Sequence, residues 1–375
     1  MSSTKKSLLK NLLALGIGCV FAFLLLEIFL RIYNPFGFRV KGAKIILYPY
    51  KKYIVENSRI PGLPKKIIHT KNSLGFRGEE PPKNFARVCS IVAVSGSTTE
   101  CCYLSDGTSW PEILGTNLKK DIPEAWVNNA GLDGQSTFGH MVLLSDYISK
   151  LKPRIVIYYV GLNDMGLSEM NDSDMAIMSS GNALKHLRNL LARRSEVFAA
   201  AYNFYLYFSS RKAALNHGAV NPETAEWKHL SAEEEENIVK AQKQYLDSYE
   251  KRVVSLIEKT REIGAEPVLL TQAVLCSGKK NEKTGKYLGK IASGNSFGNC
   301  ETFGKCLNLY NETLKKVARD KKVFLVDMGE KMPPNSACYY DLFHFSEKGS
   351  EIFANILYEE IRNFIKKKCV TDGTH

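Results

Sequence analysis

The chain has 375 residues, of which 44% are hydrophobic and 24% charged, the usage of an ordinary folded protein and neither of a disordered chain nor of a many-span transporter. Its length admits one large domain or two smaller ones with ample apolar residue for a core, and we read one main globular domain. The formal net charge of +12 favours phosphate-bearing partners. Lysines are scattered from Lys5 to Lys368 without a basic helical stripe, zinc-finger spacing or aromatic-rich RNA-binding run. The charge is therefore read as a solvated surface or an attraction to anionic lipid, and no nucleic-acid partner is expected.

The first element lies between Leu8 and Ile32, where Leu12 to Leu26 is an unbroken apolar and glycine run that Ile28, Phe29 and Leu30 extend past Glu27. At 1.5 Å per residue this is about enough helix to cross a bilayer core. Lys5, Lys6 and Lys10 precede it, so the positive-inside rule puts residues 1–10 in the cytoplasm, a transmembrane helix at 11–32 and everything after Tyr33 outside, in the periplasm or at the cell surface. A cleaved signal peptide is the rival reading, against which stand the length of the run and the lack of a small-x-small site after it. Gly16-Ile17-Gly18-Cys19 bears a faint likeness to a lipoprotein-processing site, with Gly16 where a large aliphatic is wanted. Glu27 and Arg31, four apart on one helical face, read as an interfacial salt bridge.

Residues 33–84 carry Pro, Gly, Lys and aromatics without sustained periodicity, as a juxtamembrane segment of short strands and turns would. From Val88 onward, short apolar β-rich runs alternate with longer helical stretches, which argues a parallel sheet covered on both faces. The expected strands are Val88 to Val94, Trp126 to Asn129, Ile155 to Val160, Pro267 to Thr271 and Val323 to Asp327. The expected helices are Trp110 to Lys119 after a Ser109 cap, Phe138 to Lys150, Ala232 to Ile263 with a Ser231/Glu234 capping box, and a closing helix from Glu347 to about Lys366. The stretch 165–228 exceeds one crossover and is rich in Leu, Phe and Tyr, so it is expected to hold two or more extra helices that form a lid, rest on the membrane or pack as an insertion. Residues 369–375 read as a tail.

Nine cysteines, less Cys19 in the apolar run, leave eight outside, an even number compatible with disulfides in an oxidising compartment. Cys300 and Cys306, in what reads as one Gly-rich loop, can close on each other, and adjacent Cys101 and Cys102 call for distant partners. No paired C-x-x-C exists, and His69, His140, His186, His217, His229 and His375 show no ligand spacing, so neither metal nor cofactor is expected.

Four blocks fall at successive strand ends. Ile91-Val92-Ala93-Val94 runs into Ser95-Gly96-Ser97-Thr98-Thr99, placing Ser97 where open α/β sheets keep their sites. Asn128-Asn129-Ala130-Gly131-Leu132-Asp133-Gly134-Gln135-Ser136 follows the second strand, Gly161-Leu162-Asn163-Asp164 the third, and Asp341-Leu342-Phe343-His344 precedes the last helix. Singly, each is what turns and caps commonly contain. Jointly they supply a nucleophile, oxyanion donors and a histidine with its carboxylate.

In this order the blocks resemble the SGNH or GDSL hydrolase family over roughly Arg87 to Phe364. Asn72-Ser73-Leu74-Gly75-Phe76-Arg77 resembles a segment common ahead of the serine in membrane-anchored members. The resemblance implies a flavodoxin-like three-layer α/β/α sandwich around a parallel sheet of about five strands, spanning 85–368, plus one N-terminal transmembrane helix. It implies Ser97 as nucleophile, His344 as base, Asp341 as its orienter, and the Ser97 and Gly134 N–H groups with the Asn163 amide as oxyanion hole. Ser95 is an alternative nucleophile, because the first block reads Ser95-Gly96-Ser97 where the family has Gly-Asp-Ser and Glu100-Cys101 replaces the usual glycine; in the second block Gly131 is the alternative to Gly134, the second glycine of the family's Asn-x-Gly-x-x-Gly run. The expected activity is serine ester hydrolysis outside the membrane on an acylated glycan or lipid, O-acetyl being the simplest acyl group. An acyltransferase using the same serine and a noncatalytic glycan-binding or scaffold module of an envelope assembly are the rival functions. Gly294-Asn295-Ser296-Phe297-Gly298 matches the nucleophile elbow of another hydrolase class but lacks the strand before it, so it reads as a loop.

Overall fold

The computed structural model describes residues 3–33, 35–36, 38, 40–41, 44–168, 183–212, 217–218, 220–276, 280–293 and 297–370. They fall into two compact units, Leu47–Asp174 with Ala214–His375, and Met1–Ile46 with Met175–Ala213.

In the larger unit five parallel strands form the sheet: β1 (Cys89–Ser95), β2 (Ala125–Asn129), β3 (Ile155–Tyr159), β4 (Glu266–Leu270) and β5 (Phe324–Val326). Their spatial order is β2-β1-β3-β4-β5. Every residue of β1, β2 and β3 is buried, which is why these strands read as apolar runs without alternation. This is the doubly wound parallel arrangement that the resemblance implies, and its strand order reverses between β1 and β3, the crevice where such sheets hold ligands. Ahead of the sheet, Lys52–Glu56 and Lys66–Thr70 pair as an antiparallel hairpin.

The covering helices obey local chemistry. Trp110–Leu118 starts after Ser109, but the Ser109 hydroxyl donates to the Glu112 carboxylate and makes no bond to the helix backbone. The second helix runs Thr137–Leu143, widens into a π-helical turn at Leu144–Ile148 and ends at Leu151. The capping box forms: Ser231 Oγ accepts from Glu234 N at 3.1 Å, and Glu234 Oε2 from Ser231 N at 2.8 Å, opening the helix Ala232–Glu262. The closing helix runs Glu347–Val370, past the expected end at Lys366.

Two expectations fail together. The Cys300–Cys306 stretch, read as part of a Gly-rich loop, opens a helix, Cys300–Asp320, begun by Asn299, whose Oδ1 accepts from Thr302 N at 3.0 Å. Phe303, Leu307, Tyr310, Leu314 and Val317 bury its inner face at helical spacing. Gly304 reads as a breaker, yet it lets the helix lie against the chain: a Cβ there would collide with the Cys276 carbonyl. Cys300 and Cys306 therefore stand six positions, about 9 Å of rise, apart on one helix and cannot bridge. Cys300 pairs instead with Cys276, and Cys89 with Cys369, which fastens the closing helix to β1. Cys101 and Cys102, expected to find distant partners, are both free thiols, as are Cys306 and Cys338. Burial pushes the Cys306 thiol up to about 12. In the elbow-like motif, residues 294–296 lie outside the described residues.

The smaller unit holds the helix Ser3–Ile32 and two further helices, Ala183–Arg194 and Glu196–Lys212, within the stretch 165–228. Lys10–Ile32 has the length and composition to cross a membrane, a test that anchors and signal sequences both pass.

Candidate active site

The strand β1 ends at Ser95, Gly96 turns the chain, and Ser97 opens a single helical turn, Ser97–Glu100. Gly96 is required by close approach, since a Cβ there would collide with Asn163 Nδ2, on the side chain that leaves the end of β3. That glycine lets the Asn163 amide reach the serine turn, where its Nδ2 donates to the Gln135 carbonyl at 2.9 Å.

From the loop before the closing helix, His344 Nε2 lies 2.8 Å from Ser97 Oγ. Its Nδ1 lies 2.7 Å from Asp341 Oδ2. An ionised Asp341 fixes the tautomer: Nδ1–H donates to the carboxylate, leaving Nε2 to accept from the serine hydroxyl. Asp341 Oδ1 accepts from the N–H groups of Phe343 at 3.0 Å and His344 at 2.8 Å, and Oδ2 also from Gly218 N at 3.1 Å. Burial alone would raise the Asp341 carboxyl, but His344 and these donors hold it below its usual range. The His344 ring is held below its ordinary value, chiefly by burial and further by positive charge on His217, against the pull of Asp341. Near neutral pH it is a neutral acceptor aimed at a serine hydroxyl.

The alternative residues make contacts of their own. Ser95 Oγ donates to the Tyr159 carbonyl of the neighbouring strand and is 2% exposed. Gly131 N is occupied by Asn129 Oδ1 at 2.9 Å. Gly134 turns at φ 73° in the loop after β2, where Asp133 N donates to Glu100 Oε2 at 2.6 Å. Glu100, the departure from the family's first block, is thus a buried carboxylate tying the serine turn to the Gly134 loop, with Lys71 Nζ 3.6 Å away.

Two further residues belong to the site's construction. Arg77, fully buried, donates through Nη1 to the carbonyls of Glu100 (2.9 Å) and Cys101 (2.7 Å), and through Nη2 to those of Leu104 and Ser105, both at 3.1 Å. It clamps the chain leaving the Ser97 turn, which gives the Asn72–Arg77 segment its purpose. His217 stacks on His344 with ring centroids 4.1 Å apart. Its Nδ1 lies 2.8 Å from the Tyr340 hydroxyl, and its Nε2 lies 3.3 Å from Asp133 Oδ1 and 3.7 Å from Cys102 Sγ. Burial opposes its charge, but Cys102 and Asp133 outweigh it and raise His217 well above the ordinary histidine value. No local pattern marked His217, because it joins the site only through the fold. Among the described residues no cluster of His, Cys, Asp or Glu suits a metal ion.

No curated protein matches the chain in sequence. Among solved structures, Axe2, an acetylxylan esterase from Geobacillus stearothermophilus, aligns at 16% identity over 73% of this chain and 94% of its own, with a TM-score of 0.40. A putative G-D-S-L lipolytic protein from Desulfitobacterium hafniense aligns at 14% identity over 72% and 98%, with a TM-score of 0.39. A putative acylhydrolase from Bacteroides fragilis aligns at 14% identity over 76% and 91%, also at 0.39. Residues 90–352 match the GDSL-like Lipase/Acylhydrolase family. On that match, which spans more than two thirds of its length, all of β2 to β5 and β1 from Ser90 on, the chain belongs to the GDSL-like lipase/acylhydrolase family of ester-hydrolysing enzymes.

Proposed function

We propose that Ser97 is the nucleophile and His344 its base, with Asp341 orienting the imidazole. The observation that carries this is the 2.8 Å approach of His344 Nε2 to Ser97 Oγ, with Asp341 2.7 Å behind Nδ1. As Ser97 Oγ bonds to the ester carbonyl carbon, its proton passes to His344 Nε2 and the carbonyl oxygen becomes an oxyanion. The Ser97 and Gly134 N–H groups and the Asn163 amide receive that charge, in a buried site where each donor is worth far more than in water. Collapse of the intermediate releases the alcohol, which takes the proton from His344, and water then clears the acyl-enzyme by the same steps in reverse.

The domain acts outside the membrane in this reading, held by the helix at 11–32, with residues 1–10 inside and 85–368 as the hydrolase domain carrying the 165–228 insertion. The basic residues ahead of the apolar run and the two disulfides, which persist in oxidising compartments, support it. The substrate proposed is an O-acylated glycan or lipid, acetyl being the simplest acyl group. Half-buried Tyr103, beside His217, offers an aromatic surface suited to a sugar ring.

The test is a fluorophosphonate probe on the full chain, mapped by mass spectrometry, with hydrolysis of a p-nitrophenyl acetate, butyrate and octanoate series. Labelling confined to Ser97 and lost in His344→Ala, with hydrolysis falling on the order of 10⁴-fold in Ser97→Ala, is expected. Equal hydrolysis by folded Ser97→Ala would refute the assignment.

A further inference from the structure

Glu27 is the single acidic residue in an otherwise apolar run, and its side chain is buried although its neighbours Leu26 and Ile28 are exposed. The ion pair with Arg31 Nη2, at 2.8 Å, is only part of its role. Oε2 accepts from the Ser195 hydroxyl at 2.9 Å and Val197 N at 3.1 Å, and Oε1 from Glu196 N at 3.0 Å. Ser195 Oγ in turn accepts from Phe198 N at 3.1 Å. Three leading N–H groups of the helix Glu196–Lys212, which no helix can satisfy internally, are thus met by one serine and by a carboxylate borrowed from the first helix. Arg31 also donates to the Arg194 carbonyl, the end of the preceding helix. Arg188 lies 4.8 Å over the Tyr202 ring, joining the two helices into a hairpin. Phe36 and Phe38 pack edge-on to Phe204 at 5.0 and 5.1 Å, fastening the chain that leaves the first helix to the same hairpin.

This hairpin turns large apolar side chains outward. Leu187, Leu190 and Leu191 are exposed at helical spacing on its first helix, and Phe204, Tyr205 and Phe208 on its second. Arg194, exposed, closes the first of these helices three residues past Leu191, and exposed Arg31 donates to its carbonyl. Apolar and aromatic side chains bordered by arginine, on helices fixed to an apolar span near its end, suit the boundary between headgroups and acyl chains. In water the same surface would be an unexplained apolar patch.

We infer that the hairpin Ala183–Lys212 is a membrane-interface element, resting on the bilayer that Lys10–Ile32 crosses and latched to that span by Glu27. The inference rests on the anchor proposed above. A signal sequence removed after export would take the Glu27 cap with it, so the latch also requires the first helix to be retained.

The full chain, reconstituted in phosphatidylethanolamine/phosphatidylglycerol vesicles that contain a clickable phosphatidylglycerol, carries a benzoylphenylalanine photoprobe at position 21, 191 or 208 in separate preparations. Lipid adducts at all three positions are expected, with those at 191 and 208 falling about tenfold in Glu27→Ala while that at 21 is unchanged. Adducts at 21 with none at 191 and 208, or crosslinks from 191 and 208 to a second copy of the chain, overturn the hairpin's assignment and leave the anchor standing. No adduct at 21, or a mature N-terminus beyond Tyr33 by mass, overturns the anchor and the inference with it.

Discussion

The unit around Ser97 and the unit around Glu27 treat apolar residues oppositely and buried polar residues alike. In the first, β1, β2 and β3 are wholly buried and the aromatic residues Trp110, Tyr159 and Phe353 pack on one another beneath the sheet. In the second, leucines and phenylalanines of the first helix and the hairpin face outward. Yet Glu100, Asp341 and Glu27 are each met by backbone N–H groups as well as a cationic or titratable side chain. On the proposed anchoring, apolar surface follows whichever medium is apolar, whereas a carboxylate taken out of water needs donors in either setting.

Substitutions in the Ser97 unit can break that comparison. The largest effect belongs to Ser97→Ala, which removes the chemistry and leaves every clamp in place. Its thermal midpoint should stay within about 5 °C of the parent while hydrolysis collapses, because one lost buried hydrogen bond costs about 1 kcal/mol. A large drop in midpoint would make Ser97 a structural serine.

Arg77→Met should do the reverse. Four carbonyls lose their donor and Glu112, 3.2 Å away, loses its cation, so urea unfolding should report a loss of about 3–5 kcal/mol. An unchanged midpoint would mean that the serine turn holds itself.

Asn163→Ala comes next, with an expected fall in kcat of about 10²–10³ and little change in KM, as for an oxyanion donor. A change confined to KM would reassign Asn163 to ground-state binding.

The smallest effect sharpens the electrostatics. His344 must be neutral to accept the Ser97 proton, so kcat/KM rises with pH through the His344 pKa, which lies below the ordinary histidine value. Positive His217 disfavours a second proton on the stacked ring. His217→Gln should therefore move the acid limb to higher pH while leaving the plateau rate nearly intact. An acid limb that stays in place, with the variant folded, would show that His217 does not bias the titration.

Stability carries its own pH signature in the larger unit. His140 is buried and its ring is pushed down to about 3, chiefly by burial; His69, likewise buried, is pushed down to about 4. Both fold as neutral rings, so below the unfolded value near 6.5 the unfolded chain takes up protons that the native one refuses. Stability should then fall as pH drops from about 6.5 toward 4, by ~1.4 kcal/mol per pH unit for each histidine. A flat unfolding midpoint across that window would mean these rings are protonated in the native state.

How much the sequence determined differs by kind of interaction. The five strands, the capping box at Ser231 and the apolar run at Lys10–Ile32 were legible because periodicity and caps report on neighbouring backbone. The order of the Ser97, Gly134, Asn163 and His344 blocks was legible because parallel strands deliver their C-terminal ends to one edge. The helix Cys300–Asp320 was missed for a local reason: Gly304 and the glycines before it outweighed a helical stripe that was present. Other features left no local trace. The pairing of Cys276 with Cys300, the Arg77 clamp, the Glu100 tie to Asp133, the stacking of His217 on His344 and the Glu27 cap each join residues that only tertiary packing brings together. A buried polar group must find a partner, and its own sequence states the need; which distant donor answers it is decided by how the elements pack.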